Sequence, residues 1–177
     1  MNTTEHQLEL REQLSPIVEY LEMMDTLMKT RPMPAGFLWA NPHEFILKNG
    51  REMKPAVLAK KLGPPKHCFS TSAVRVLRTR SDTLVYCEGM VIAEKVPFPL
   101  EHGWLFDTER NCVVETTLRE PGIEYFGIAF TREYLREGLR GRSYSGLISA
   151  WDRDYPLLRM SPEELEKAIH PSMKGST

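Results

Sequence analysis

Cys68, His102 and Glu115 are of the types that nucleophilic chemistry on an acyl group requires. A thiolate attacks carbonyl carbon, an imidazole takes and returns the proton near neutral pH, and a carboxylate beside the imidazole fixes its tautomer and stabilises its cation. Pro64 and Pro65 end an irregular stretch just before Cys68, and a helical pattern begins there. A thiol opening a helix sees unpaired N–H groups and the positive end of the dipole, which favour the thiolate and offer donors to an oxyanion. Taken alone, a free cysteine is far more often a small buried hydrophobe. The case therefore rests on what stands near it.

His102 lies in the run Glu101-His102-Gly103-Trp104-Leu105-Phe106, followed by Asp107-Thr108-Glu109-Arg110, which reads as a tight turn. With Thr108 and Glu109 as its two central residues, Phe106 faces Asn111, Trp104 faces Val113 and His102 faces Glu115. Opposed residues share one face of a sheet, so an imidazole and a carboxylate meet. Asp107 is the competing acid; by alternation it points away from His102, which puts Glu115 ahead of it. Gly103 permits close approach beside the imidazole, and Trp104 supplies an apolar wall, either against substrate or simply as core. Glu88-Gly89 lies within a strand, where the glycine suggests a bulge or a close backbone approach and the acid lines a cleft or a solvated face.

These side chains need elements to position them. Leu10, Leu14, Ile17, Val18, Leu21, Met24 and Met28 recur at helical spacing, with Ser15-Pro16 as a cap and first-turn proline and the methionines as core filler. Residues 31–67 are rich in proline and read as a long irregular connection, interrupted by a brief helix at 42–48 capped by Asn41, with Glu44 as capping-box acid and Gly50 as stop. Trp39, Asn41 and His43 in that connection either face a substrate or pack over the core. The Cys68 helix ends near Ser81, with Arg75, Arg78 and Arg80 on a wet face. Four β-prone runs follow: 83–93, 100–106, 111–117 and 124–130. About ten helical residues come next, and Ser161-Pro162-x-Glu164 opens a last helix. Helix, then strands, then helix makes an α+β chain of one domain over 1–177, with its core at about 66–130, an N-terminal helical part at 1–65 and a C-terminal one at 131–177.

Twenty-three Lys and Arg against 24 Asp and Glu leave a net charge of −1, so no global basic excess exists to recruit nucleic acid. No apolar run is long enough to span a membrane and no ordinary signal peptide opens the chain, so no membrane partner and a cytoplasmic location are expected. Three cysteines without a C-x-x-C pair indicate neither a disulfide framework nor a zinc knuckle, and Cys87 and Cys112 read as packing thiols. A metal held by His67, Cys68, His102 and Cys112 is disfavoured, because adjacent residues at a helix start point in different directions.

Together, Cys68-x-x-x-x-Ala73, Tyr86-Cys87-Glu88-Gly89, His102-Gly103-Trp104 and Val113-Val114-Glu115-Thr116-Thr117 resemble the core of transglutaminase-like cysteine enzymes. The resemblance covers about residues 66–130 and implies a papain-like fold, with the Cys helix packed on an antiparallel sheet of about four strands. It implies Cys68 as nucleophile, His102 as base and Glu115 as orienting acid, with no cofactor and a protein or peptide substrate. Glu115 departs from the family, which has Asp there; the extra methylene calls for a displaced strand or a water bridge. The flanks, including Tyr125-Phe126-Gly127-Ile128, point to a narrower bacterial or phage group. The expected function is a cysteine hydrolase or acyltransferase acting on an amide: a peptidase, deamidase or transamidase, with Trp104 and Glu88 toward the substrate. The alternative is an inactive binding or inhibitor protein of phage or mobile-element origin. In either case a basic face of Arg75, Arg78 and Arg80, joined later by Arg132, Arg136, Arg140 and Arg142, either recruits an acidic partner or, more often, is merely solvated. The sequence does not fix the oligomeric state.

Overall fold

The computed structural model describes residues 15–30, 34–140 and 146–173; Leu10, Leu14 and Arg142 lie outside them. Ser15 caps the first described helix, α1 (Pro16–Met28), its hydroxyl accepting from the Val18 N–H at 3.2 Å. Its hydroxyl also donates to the Glu124 carboxylate. The helix buries only Ile17 and Leu21; Met23 and Met28 are exposed, so they are not the core filler their spacing suggested. Asn41 caps α2 (Pro42–Asn49), accepting from the Glu44 N–H at 2.9 Å. Glu44 reaches back to the N–H of Ala40 rather than of Asn41, one residue off a capping box.

The proline-rich stretch is less irregular than its composition implies. It contains β1 (Arg51–Glu52) and β2 (Ala56–Leu58), strands too short to show an alternation of their own. After them come α3 (Cys68–Arg78), β3 (Leu84–Ile92), β4 (Leu100–Asp107), β5 (Cys112–Glu115) and β6 (Glu124–Phe130). The chain closes with α4 (Arg132–Gly138), seven residues where ten were expected, and α5 (Pro162–Ala168), whose Ser161 and Glu164 form the expected capping box. The fold is thus mixed α+β, with five α-helices and one six-stranded sheet among the described residues, not four strands.

The sheet order is β1-β6-β3-β4-β5-β2, with β2 parallel to β5 and every other pair antiparallel. Its two outermost strands are separated in the chain by only Met53-Lys54-Pro55. The Met53 N–H bonds the Tyr125 carbonyl on one side, and the Pro55 carbonyl accepts from the Val113 N–H on the other. Bringing both edges to so short a crossing curls the sheet. Two cores result. The outer face packs Tyr86, Met90, Leu105, Ile128 and Phe130 against Ile17 and Leu21 of α1, Phe45 of α2, Val76 of α3, Leu135 of α4 and Leu165 of α5. The inner face packs Val85, Cys87, Val91, Trp104, Phe106, Val113, Tyr125 and Ala129 on one another and on Met53. Among the described residues no helix is long and apolar enough to cross a membrane.

Candidate active site

Helix α3 begins at Cys68 itself, and His67 ahead of it provides no side-chain cap. The chain is led there along β5: the Ala59 N–H bonds the Glu115 carbonyl and the Gly63 N–H bonds the Thr116 carbonyl, each at 2.8 Å. The helix is then pinned from inside. Ser72 Oγ donates to the Gly103 carbonyl at 3.0 Å and shares a 2.8 Å hydrogen bond with Thr116 Oγ1, tying α3 to β4 and to the residue after Glu115. Gly103 lies under the first turn, where a Cβ would stand 3.1 Å from the Phe69 Cα; its missing side chain lets α3 press onto β4 beside His102.

The β4–β5 register differs from the expected one by two residues. Asp107 pairs with Cys112 and Phe106 with Val113, which leaves a four-residue turn over 108–111. Asp107 Oδ1 accepts from the N–H groups of Glu109 and Arg110, both at 3.1 Å, and Asn111 takes φ +50, a left-handed conformation that Asn tolerates well. Asp107 is thus a turn cap and not a partner of His102. A shift of two conserves the face, so Glu115 still meets His102, diagonally. The extra methylene of Glu spans that diagonal without a bridging water: His102 Nε2 and Glu115 Oε2 are 2.9 Å apart.

Glu115 is completely buried and saturated with donors. Its Oε1 accepts from the N–H groups of Thr116 and Thr117 at 2.7 Å and of Leu118 at 3.0 Å, and its Oε2 from the Tyr125 hydroxyl at 2.8 Å as well as His102. Burial opposes its charge, yet His102 and these donors hold the carboxyl down at about 2. Burial likewise disfavours the imidazolium, but the side-chain interaction with Cys68, then the Glu115 hydrogen bond and the charges of both, lift His102 to about 9. Because Nε2 is engaged by Glu115, Nδ1 is left for the thiol. Exposure is 8% at Cys68, 5% at His102 and 0% at Glu115, so the constellation is buried, most deeply at the acid.

The remaining expectations divide. Trp104 is fully buried, stacked on His102 with centroids 6.3 Å apart and edge-on to Tyr125 at 5.2 Å, so it is a wall behind the imidazole and not a substrate contact. Glu88 is neither in an open cleft nor solvated: at 2% exposure, its Oε1 accepts from the Tyr86 hydroxyl and the Leu147 N–H, and its Oε2 from the Ile148 N–H at 3.0 Å. Gly89 marks no bulge, since pairing runs through it to His102 on one side and Gly127 on the other; it serves the close approach, because a Cβ would stand 2.5 Å from the Gly127 Cα. Trp39 packs edge-on against Phe45, Asn41 bonds Asp25 at 2.8 Å, and His43 packs on Tyr20, so all three serve the outer core and the α1–α2 contact. Cys87 and Cys112 are buried, and burial pushes the Cys87 thiol well up. Tyr125, a further side-chain donor to the acid, carries no local signal of that role in the sequence; its hydroxyl also accepts from the Gly122 N–H at 2.8 Å. Among the described residues no group of three His, Cys, Asp or Glu is arranged to hold a metal ion. Comparison with protein-family models, with curated proteins and with solved structures finds no match.

Proposed function

We propose that the protein is a cysteine hydrolase or acyltransferase acting on an amide through Cys68, His102 and Glu115, with a papain- or transglutaminase-like core. The observation that carries this reading is the His102 ring bonded at 2.9 Å to a buried, fully hydrogen-bonded Glu115 carboxylate, with Cys68 near enough to help raise the His102 pKa. His102 takes the thiol proton, and the Cys68 sulfur attacks the carbonyl carbon. The C–N bond then breaks as His102 returns the proton to the leaving nitrogen, giving a thioester. Water or an amine, relieved of its proton by His102, attacks the thioester and releases the acyl group. Water makes the protein a peptidase or deamidase, and an amine makes it a transamidase; a protein or peptide is the substrate in either case. The uncapped N–H groups at the start of α3 are placed to receive the oxyanion.

The test is alkylation by iodoacetamide, with modified sites read by mass spectrometry in wild type and His102→Ala. Cys68 is expected to label faster than Cys87 and Cys112 at neutral pH, and the substitution to slow it by roughly a hundredfold. Labelling of Cys68 no faster than the packing thiols and indifferent to His102 would discard the enzyme reading in favour of a binding protein.

A further inference from the structure

On the outer face of the sheet, one residue pair away from the histidine, Glu88 sits opposite Gly103. Ionised carboxylates are rarely buried without a partner cation, and among the described residues none of the hydrogen-bond partners of Glu88 is one. Two of the three are the backbone N–H groups of Leu147 and Ile148, some sixty residues further along the chain. The third is the Tyr86 hydroxyl, which lies near enough to Cys68 for the thiol's charge to help raise its pKa. Gly146 closes the arrangement: a Cβ there would stand 2.8 Å from Glu88 Oε2 and 3.3 Å from Phe69 Cε1, the side chain next to the nucleophile. Glu88 and Gly146 line a small, half-open depression of about 10 Å³ together with Ile46, Phe69, Glu101 and Ile148, and at its edge Ser149 Oγ reaches Glu101 at 3.2 Å.

We infer that Glu88 is a positioning residue: it clamps the segment Gly146–Ile148 against the Cys68 end of α3, where that backbone forms one wall of the acyl site. This rests on the amide-acyl reading above and extends it from the triad to the site's surroundings. Glu88 touches no substrate; it acts through the Leu147 and Ile148 amides. Its proton matters to the clamp, because two N–H groups need both carboxylate oxygens as acceptors and a protonated carboxyl turns one of them into a donor. Burial, resisted by the three hydrogen bonds and reinforced by the charge of Glu101 on β4, raises Glu88 to about 7. On its own strand Tyr86 shares its face and Cys87, on the opposite face, feels its charge; both are pushed well up by burial and so are uncharged across this range.

The experiment compares wild type, Glu88→Gln and Tyr86→Phe by amide hydrogen exchange at Leu147 and Ile148. Alongside it, Cys68 labelling is measured with iodoacetamide and with a peptidyl chloromethyl ketone between pH 5 and 9. Glu88→Gln presents an amide donor to an N–H, so protection at Leu147 and Ile148 is expected to fall at least tenfold while β3 and β4 keep theirs. Peptidyl labelling is expected to fall about tenfold and iodoacetamide labelling less than threefold. In wild type the ratio of the two rates should rise with a midpoint near pH 7; the midpoint should vanish in Glu88→Gln and move upward in Tyr86→Phe, which loses a bond to the charged form. A ratio that is flat with pH, or unchanged in Glu88→Gln, overturns the positioning role, as does undiminished protection at Leu147 and Ile148. Slow wild-type labelling of Cys68 by both reagents counts instead against the enzyme reading, and the exchange measurement then decides the clamp by itself.

Discussion

Glu115 and Glu88 are buried on opposite faces of the same sheet, and their proton affinities are driven in opposite directions. Glu115, on the inner face, is held down at about 2 despite complete burial. Glu88, on the outer face and almost as deeply buried, is raised to about 7. Both accept backbone N–H groups and a tyrosine hydroxyl. The difference lies in the neighbour that carries charge: Glu115 faces an imidazole that can be a cation, whereas Glu88 feels the like charge of Glu101 and, among the described residues, has no cation as a hydrogen-bond partner. Dipoles partly offset desolvation; an opposite charge overcomes it.

The strongest way to break the comparison is to remove the inner carboxylate. Glu115→Ala strands three N–H groups, the Tyr125 hydroxyl and an imidazole in a buried site, and urea unfolding should show a loss of about 3–5 kcal/mol. Cys68 labelling should fall with it.

The pH dependence of stability sharpens the contrast. Glu88 has a folded value above its ordinary 4.5, so the folded state binds the extra proton between pH 4.5 and about 7, and stability falls as pH rises through that window. Its share is on the order of 3 kcal/mol, and the slope should disappear in Glu88→Gln. His102 is raised from 6.5 to about 9, so its contribution is complete below 6.5 and is lost as pH climbs through 9. Glu115 works from the other side: its contribution is complete above 4.5 and goes only as pH drops through about 2. Denaturation midpoints from pH 3 to 10 should therefore peak in mild acid rather than at neutrality.

A smaller effect distinguishes the hydroxyls. Tyr125→Phe removes one of several donors to Glu115 and leaves the Gly122 N–H without its partner, for which about 1–2 kcal/mol is expected by the same unfolding measurement. Glu115 should stay ionised in that variant, with Cys68 labelling close to that of wild type.

The inner site was largely legible in the sequence and the outer one was not. Two prolines before Cys68 announce a helix start, and alternation alone places His102 and Glu115 on one face. The exact partners of β4 and β5 were not readable, because turn length depends on how Asp107 and Asn111 use their side chain and backbone; the error of two residues was harmless because a sheet repeats every two. β1 and β2 were invisible, since two or three residues among prolines carry no period. The role of Glu88 had no local signal either: its partners are main-chain amides of Leu147 and Ile148, to which any residue but proline contributes alike.

The three-residue crossing at Met53–Pro55 also governs how the chain can associate with others. A sheet with long free margins invites another chain to add a strand, the route to swapped dimers and fibrils. Here the outermost strands are two and three residues long, and the same short peptide fastens both margins. Among the described residues, then, the sheet offers a newcomer little backbone to pair with, and assembly is directed to side-chain surfaces.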